Sequence, residues 1–360
     1  MAARLRERRG DRVSDNSAIE WTDSTWNVVT GCTRVSPGCA NCYIERTPPF
    51  RISGRRFERI GNEETTGLVL HPERLEIPLR WRKPRRIFVN SLSDLFHEEL
   101  DYHFVREVFN VMRRCDGGVV AATGKADPSH TFQVLTKRPE RVLEWWRERK
   151  LGFDVWPPNV WLGVSIENAR YTWRADVLRE IPAAVRFISA EPLLGSLYPS
   201  RATLPLADQG VGRTTRKAGN GGVCHPASAP LDLTGIDWLI VGGESGPGAR
   251  PMHPDWAREL REQCLYGTGE TRPAFFFKQW GEWSPGSNGD KSLFVAPDGF
   301  TSKNIWTDER LTDDRRRDGN TERWRSLVWM GRRGKKAAGR ELDGRTWDEM
   351  PAAAADRASA

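Results

Sequence analysis

Short apolar runs rich in Val, Ile, Phe and Trp recur along the chain, separated by amphipathic stretches of helical length. Seven runs predict strands, at residues 26–30, 86–90, 131–136, 160–164, 185–189, 238–241 and 274–278. Between them a 3.6-residue period predicts helices over 102–114, 140–150, 170–180 and 254–264. In the first of these, Phe104, Val105, Val108, Phe109 and Met112 fall at core spacing. Strands alternating with helices imply parallel strands joined by right-handed crossovers.

The residues after the strands carry the polar chemistry. The second run leads into Asn90-Ser91-Leu92-Ser93-Asp94 and the third into Thr136-Lys137-Arg138-Pro139. The fourth leads into Ser165-Ile166-Glu167-Asn168, the fifth into Ser189-Ala190-Glu191-Pro192, and the sixth into Gly242-Gly243-Glu244-Ser245-Gly246. The seventh ends in Lys278-Gln279-Trp280. In parallel α/β folds the carboxyl ends of the strands form the functional rim. The expected fold is a complete or partial (β/α) TIM-like barrel of about six to seven parallel strands with a C-terminal appendage. An open doubly wound sheet fits less well, because charged strand ends persist through the whole series. The barrel is expected at 18–285, broken by a Gly-, Ala-, Thr- and Pro-rich insertion at 203–233. Residues 1–17 read as a basic flexible arm and 286–360 as an irregular charged extension.

Composition narrows the classes. With 38% hydrophobic residues, 16 Trp and 14 Phe in 360 residues, the chain can build a core. No apolar run reaches the ~18 residues of a membrane span, and the N-terminal stretch lacks the apolar centre of a secretory signal. The expectation is a cytoplasmic protein without membrane contact. The net charge of +7 sits at the ends. Residues 1–12 carry five Arg against Glu7 and Asp11, and residues 301–360 are again basic, while the body is nearly neutral. Basic ends act as arms on nucleic acid in many proteins. Of the 55 cations 45 are Arg, a bias that a GC-rich genome also produces.

Three of the six cysteines crowd into Gly31-Cys32-Thr33-Arg34-Val35-Ser36-Pro37-Gly38-Cys39-Ala40-Asn41-Cys42-Tyr43, with spacing C-x6-C-x2-C. Cys115, Cys224 and Cys264 are scattered. Three readings compete for Cys32, Cys39 and Cys42. Structural zinc wants four ligands, usually as two paired knuckles, and the chain has one C-x2-C and one outlying Cys. Simple packing of small apolar thiols is the second. An iron–sulfur cluster held by three thiolates is the third, and it leaves one iron open for a substrate or cosubstrate. The position of the loop at the carboxyl end of the first strand favours the third.

A three-cysteine loop after strand one of a (β/α) barrel resembles the radical S-adenosylmethionine (SAM) enzymes. The Ser-Pro-Gly-Cys-Ala-Asn-Cys-Tyr stretch is similar to their spore photoproduct lyase branch. From about 18 to 351 the chain resembles more closely an uncharacterised three-cysteine family found in phages and bacteria. The segments that carry this are Glu20-Trp21-Thr22-Asp23-Ser24-Thr25-Trp26-Asn27, the cysteine loop, Ser91-Leu92-Ser93-Asp94-Leu95-Phe96 and Leu135-Thr136-Lys137-Arg138-Pro139. Ser189-Ala190-Glu191-Pro192, Gly242-Gly243-Glu244-Ser245-Gly246 and Leu342-Asp343-Gly344-Arg345-Thr346-Trp347 complete the set. The radical SAM resemblance implies a 4Fe-4S cluster on Cys32, Cys39 and Cys42, whose open iron chelates SAM. An external reductant then drives cleavage to a 5′-deoxyadenosyl radical, which abstracts hydrogen from a substrate. The lyase branch and the basic ends make a nucleotide or nucleic-acid base the expected substrate; the alternative reading is a zinc- or cluster-stabilised nucleic-acid-binding protein without catalysis. The loop departs from the usual C-x3-C-x2-C by three added residues. Asn41 stands where an aromatic normally precedes the third Cys, and the glycine-rich motif of strand two is replaced by 90–94.

Under that resemblance Ser91, Ser93 and Asp94 are candidates for the SAM amino group, with helix capping the alternative for Asp94. Ser165, Glu167 and Glu191 are candidates for cofactor contacts such as ribose hydroxyls; rim ion pairs are the alternative for the glutamates. Gly242, Gly243 and Glu244 offer close backbone approach to adenine or phosphate. Lys137, Arg138 and Lys278 are candidates for an acidic substrate group, although Lys-Arg-Pro is equally an ordinary helix start. Trp280 and Trp283 are candidates for base stacking among tryptophans that are mostly core. His97 and His130 read as satisfied core or surface residues.

Overall fold

The computed structural model describes residues 17–120, 125–126, 129–198, 230–267, 272–304, 308 and 326–352. The expected N-terminal arm, most of the insertion with Cys224, and the mixed-charge run at 310–325 lie outside them. The chain divides into two compact units, 1–163 with 181–185 and 164–180 with 186–360.

Seven strands form the main sheet: β1 (Ser24–Trp26), β2 (Arg85–Val89), β3 (His130–Thr136), β4 (Val160–Ser165), β5 (Arg186–Ala190), β6 (Trp238–Gly242) and β7 (Ala274–Gln279). Neighbours in the sheet follow chain order without reversal, so the fold is mixed α/β with the parallel succession of a partial TIM-like barrel. A doubly wound sheet would reverse its order at a switch point. The strands are buried almost throughout, as sheets covered on both faces require; every residue of β4 and β6 is withdrawn from solvent.

In the first unit, α1 (Tyr102–Arg113) starts at Asp101, whose carboxylate accepts from the His103 amide. It buries Val105, Val108, Phe109, Val111 and Met112. Phe109 meets Phe153 and Trp156 at centroid distances of 5.2 and 5.6 Å. Each such side chain contributes about 1.5–3 kcal/mol on burial. Helix α2 (Pro139–Arg147) ends before the expected 150, because Arg149 adopts a left-handed backbone (φ 55°).

In the second unit, α3 (Trp173–Arg179) is shorter than expected. The Asn168 carboxamide accepts from the Arg170 amide and tightens the preceding residues into a 3-10 turn. Helix α4 (Pro254–Tyr266) is capped by His253, whose ring accepts from the Asp255 amide. The region past β7 is more ordered than the irregular extension expected. β8 (Trp283–Pro285), β9 (Ser292–Val295), β10 (Thr301–Ser302) and β11 (Val328–Arg332) build an antiparallel sheet in the order β8-β11-β9-β10. Its strands are two to five residues long, too short for an alternating pattern to stand out. Among the described residues no helix is long and apolar enough to cross a membrane.

Candidate metal centre and the strand ends

The first strand leaves the sheet earlier than its apolar run predicts. The Asn90 carboxamide oxygen accepts from the amides of Val28 and Val29, at 3.0 and 3.3 Å. Asn90 itself sits in the left-handed region (φ 58°). The chain is thereby turned away, and Val29–Thr30 pairs antiparallel with Val69–Leu70. Gly31 follows at φ 109°, where a Cβ would lie 1.8 Å from the Gly67 carbonyl oxygen. Only glycine fits there.

From this turn the cysteine loop is braced on two sides. On one, the Cys32 amide donates to Thr66 Oγ1 (2.9 Å), the Thr66 amide to the Cys32 carbonyl (3.0 Å), and the Arg34 amide to the Glu64 carbonyl. Arg55 reinforces it, donating to the carbonyls of Thr30, Thr66 and Gly67. On the other side the Gly31 amide donates to the Leu92 carbonyl (2.9 Å), and the Tyr43 hydroxyl donates to the Ser91 carbonyl. Cys39 closes a 3-10 turn over Pro37–Cys39, and the Cys42 amide donates to the Cys39 carbonyl.

All three cysteines are free; the residues are half-buried, with their sulfurs largely withdrawn from solvent. Burial pushes Cys32 up to about 12 and raises Cys42. At Cys39 burial also opposes ionisation, but the Lys137 charge and hydrogen bonds from Val35 and Ser36 outweigh it and hold the thiol below its ordinary value. Cys32 and Cys42 each feel the Cys39 charge, so the thiols lie within electrostatic range of one another. Among the described residues no three Cys, His, Asp or Glu side chains close on a single metal ion.

Beneath the loop lies a buried ion pair. The Arg138 guanidinium donates to Asp94 at 3.0 Å, to Glu98 at 2.7 Å and to the Thr33 carbonyl at 3.3 Å. Asp94 also accepts from Thr136 Oγ1 and from the amides of Phe96 and Lys137. Burial alone would raise its carboxyl; Arg138 and these donors hold it below the usual range. Asp94 is thus no cap of α1, a role Asp101 fills. His97, also buried, shares a 2.8 Å hydrogen bond with Thr33 Oγ1, and His130 one of 3.1 Å with the Pro78 carbonyl. Among the described residues, Asn90 Nδ2 and Ser93 Oγ beside the loop and Arg34 Nε within it have no hydrogen-bond partner.

The second unit carries the other candidates in separate pairs. Arg174 reaches Glu167 at 3.1 Å and the Ser165 carbonyl at 2.7 Å, with both charged side chains out of solvent. Glu191 accepts from Lys278 Nζ (2.8 Å) and Gln279 Nε2 (2.9 Å). Glu244 is gripped by Arg250 through its Nε, one terminal nitrogen and its amide. The glycines of Gly242-Gly243-Glu244 are accounted for by packing. The Glu191 side chain lies against Gly242, and the Gly243 amide donates to the Gln279 carbonyl. Trp280 is buried with its indole on the Glu341 carbonyl, and the Trp283 indole donates to Ala249.

Residues 16–351 match the family described as "Protein of unknown function (DUF5131)". The chain belongs to this family. No curated protein and no solved structure matches it.

In this DUF5131 chain the structure brings Ser91, Ser93, Asp94, Lys137 and Arg138 to the cysteine loop within one unit. Thr33, Arg55, Asn90 and Arg174 were missed from sequence. Asn90 stood within a motif already singled out; Arg55 and Arg174 carry no sequence signal beyond their charge.

Proposed function

We propose that the protein is an iron–sulfur enzyme of radical SAM type, with Cys32, Cys39 and Cys42 as ligands of a 4Fe-4S cluster. The observation that carries this is one loop at the strand ends that holds three free cysteines in mutual electrostatic range. A cluster takes one thiolate at each of three separate irons, whereas a zinc ion needs its ligands to converge at about 2.3 Å. Bound there, the cluster supplies an electron, drawn from an external reductant, for cleavage of SAM.

The chain's own residues suit a cosubstrate beside the loop. Asn90 Nδ2 is a buried amide donor without a partner, which suits a carboxylate, and Ser93 Oγ offers a hydroxyl three residues further on. Asp94 already accepts four hydrogen bonds, which assigns it to bracing. Lys137 contributes positive charge near Cys39 and Cys42. The substrate proposed is a nucleotide or nucleic-acid base, on the strength of the lyase resemblance and the arginine-rich ends.

Anaerobic reconstitution with iron and sulfide tests the reading. Brown protein with a charge-transfer band near the cluster's usual range, lost in Cys39→Ala and kept in Cys264→Ala, is expected. Dithionite reduction should then release 5′-deoxyadenosine from added SAM. Colourless protein with one zinc per chain would replace the cluster by a structural metal. Loaded protein that leaves SAM intact would remove the radical chemistry.

A further inference from the structure

Asp94 and Arg138 form a buried ion pair, their side chains 8% and 7% exposed. Such a pair is a poor source of stability, because desolvation consumes much of the Coulomb gain. Arg138, however, makes a third kind of contact. While one terminal nitrogen holds Asp94 and Nε holds Glu98, the other terminal nitrogen donates to the carbonyl of Thr33. Thr33 follows Cys32 directly, and its hydroxyl is shared with buried His97. One guanidinium therefore ties the end of β3, the segment after β2 and the cysteine loop together. A planar fork with five donors in fixed directions can do this; a lysine ammonium on the same backbone cannot reach all three acceptors.

We infer that Arg138 is a positioning residue that fixes the register of the cysteine loop against the segment 90–94, so that the thiol of Cys32 and the polar atoms of Asn90 and Ser93 keep one arrangement before any ligand arrives. The purpose given to the loop rests on the iron–sulfur reading; the bracing itself does not. The second face of the loop, on Thr66 and Arg55, holds the backbone of Cys32 but does not touch 90–94. Arg138 connects the two segments through a side-chain fork, beside the Gly31–Leu92 and Tyr43–Ser91 hydrogen bonds. Loss of the fork should let the loop slide while the rest of the unit stays folded.

Arg138→Lys isolates this role, because it keeps a cation beside Asp94 and removes the reach to Thr33. The metal-free full-length protein is treated with iodoacetamide and each cysteine is followed by mass spectrometry. Cys32 should react about tenfold faster or more in Arg138→Lys than in the parent, a local opening rather than unfolding. Buried Cys115 and Cys264 are internal reporters and should stay as protected as in the parent. Thr33→Val, which loses only the His97 link, should give a smaller increase at the same thiol. An unchanged Cys32 rate in Arg138→Lys would overturn the inference. Equal acceleration at Cys115 and Cys264 would also overturn it, by making Arg138 a residue of general stability. If the footprint changes as expected, iron bound per chain on reconstitution should fall in the variant in parallel. A parent protein that takes up no iron sinks the iron–sulfur reading while leaving the footprint result standing.

Discussion

The Trp280 carbonyl oxygen lies 1.9 Å from the point that a Cβ on Gly243 would occupy. Gly281 meets the Glu244 carbonyl in the same way, at 2.1 Å. The loops after β6 and β7 thus pack backbone on backbone, and neither obstacle is a side chain that can rotate away. Gly243→Ala should cost about 1–3 kcal/mol, the range for an overpacked site. Urea unfolding of the variant checks this. An unchanged midpoint would mean that these loops yield freely, and the Gly-Gly pair would need another explanation.

Arg174 and Glu167 are almost wholly withdrawn from solvent, at 2% and 0% side-chain exposure. Removing one partner leaves a buried charge without compensation. Arg174→Met should therefore destabilise the protein by about 3–5 kcal/mol, and adding Glu167→Gln should recover much of the loss. The double-mutant cycle in denaturant is the measurement. Additive losses would show that the two charges do not depend on each other.

The Asn90 side chain turns the chain out of the main sheet after β1 by accepting two amides. Asn90→Ala strands both amides and removes a residue type that tolerates positive φ. A loss of about 1–3 kcal/mol is expected. Hydrogen exchange at Val28 and Val29 should accelerate more than at β2. Exchange that is equally raised throughout would point to global rather than local loosening.

The histidines set a pH window. Burial lowers the pKa of His71, His97, His130 and His253, in each case as the leading cause. At His97 the Arg138 charge adds to burial, against Glu98 and Asp94, and the value falls to about 4. The folded state therefore favours neutral imidazole, whereas the unfolded chain protonates near 6.5. The stability is complete above about 6.5 and drains away as pH falls from there toward 4. Urea midpoints should be level between pH 7 and 8 and decline between 6.5 and 4, with a shallower decline in His97→Gln. A flat profile down to pH 5 would contradict this assignment.

Most of the main sheet was legible because its strands are continuous apolar runs buried on both faces, a signal that survives without neighbours. Six of the sheet strands and four helices stand where periodicity puts them, with errors confined to ends; β1 shares only Trp26 with the run expected at 26–30. Those errors have local causes that a pattern does not carry: the Asn90 carboxamide for β1, the left-handed Arg149 for α2, and the Asn168 turn for α3. The cysteine loop was visible from spacing alone. Its bracing was not, because Arg55 and Arg138 act through carbonyls far away in sequence, and a carbonyl looks the same at every residue. The C-terminal sheet escaped for the opposite reason, its strands being too short to show a period.

The free side of β7 is closed by the end of the described chain. The Phe277 amide donates to the Trp347 carbonyl, the Trp280 amide to Gly339, the Glu349 amide to Phe275, and the Trp238 indole to the Glu349 carbonyl. Asp343, in the hairpin between, is clasped by Arg258 and Arg261 of α4. During synthesis, then, β7 leaves the ribosome some seventy residues before the segment that covers it. Through that interval an apolar Phe-Phe-Phe strand stands as an open template for pairing with other chains. Ribosome stalling or truncation before residue 349 should therefore be felt as aggregation of nascent chains rather than as a milder, trimmed product.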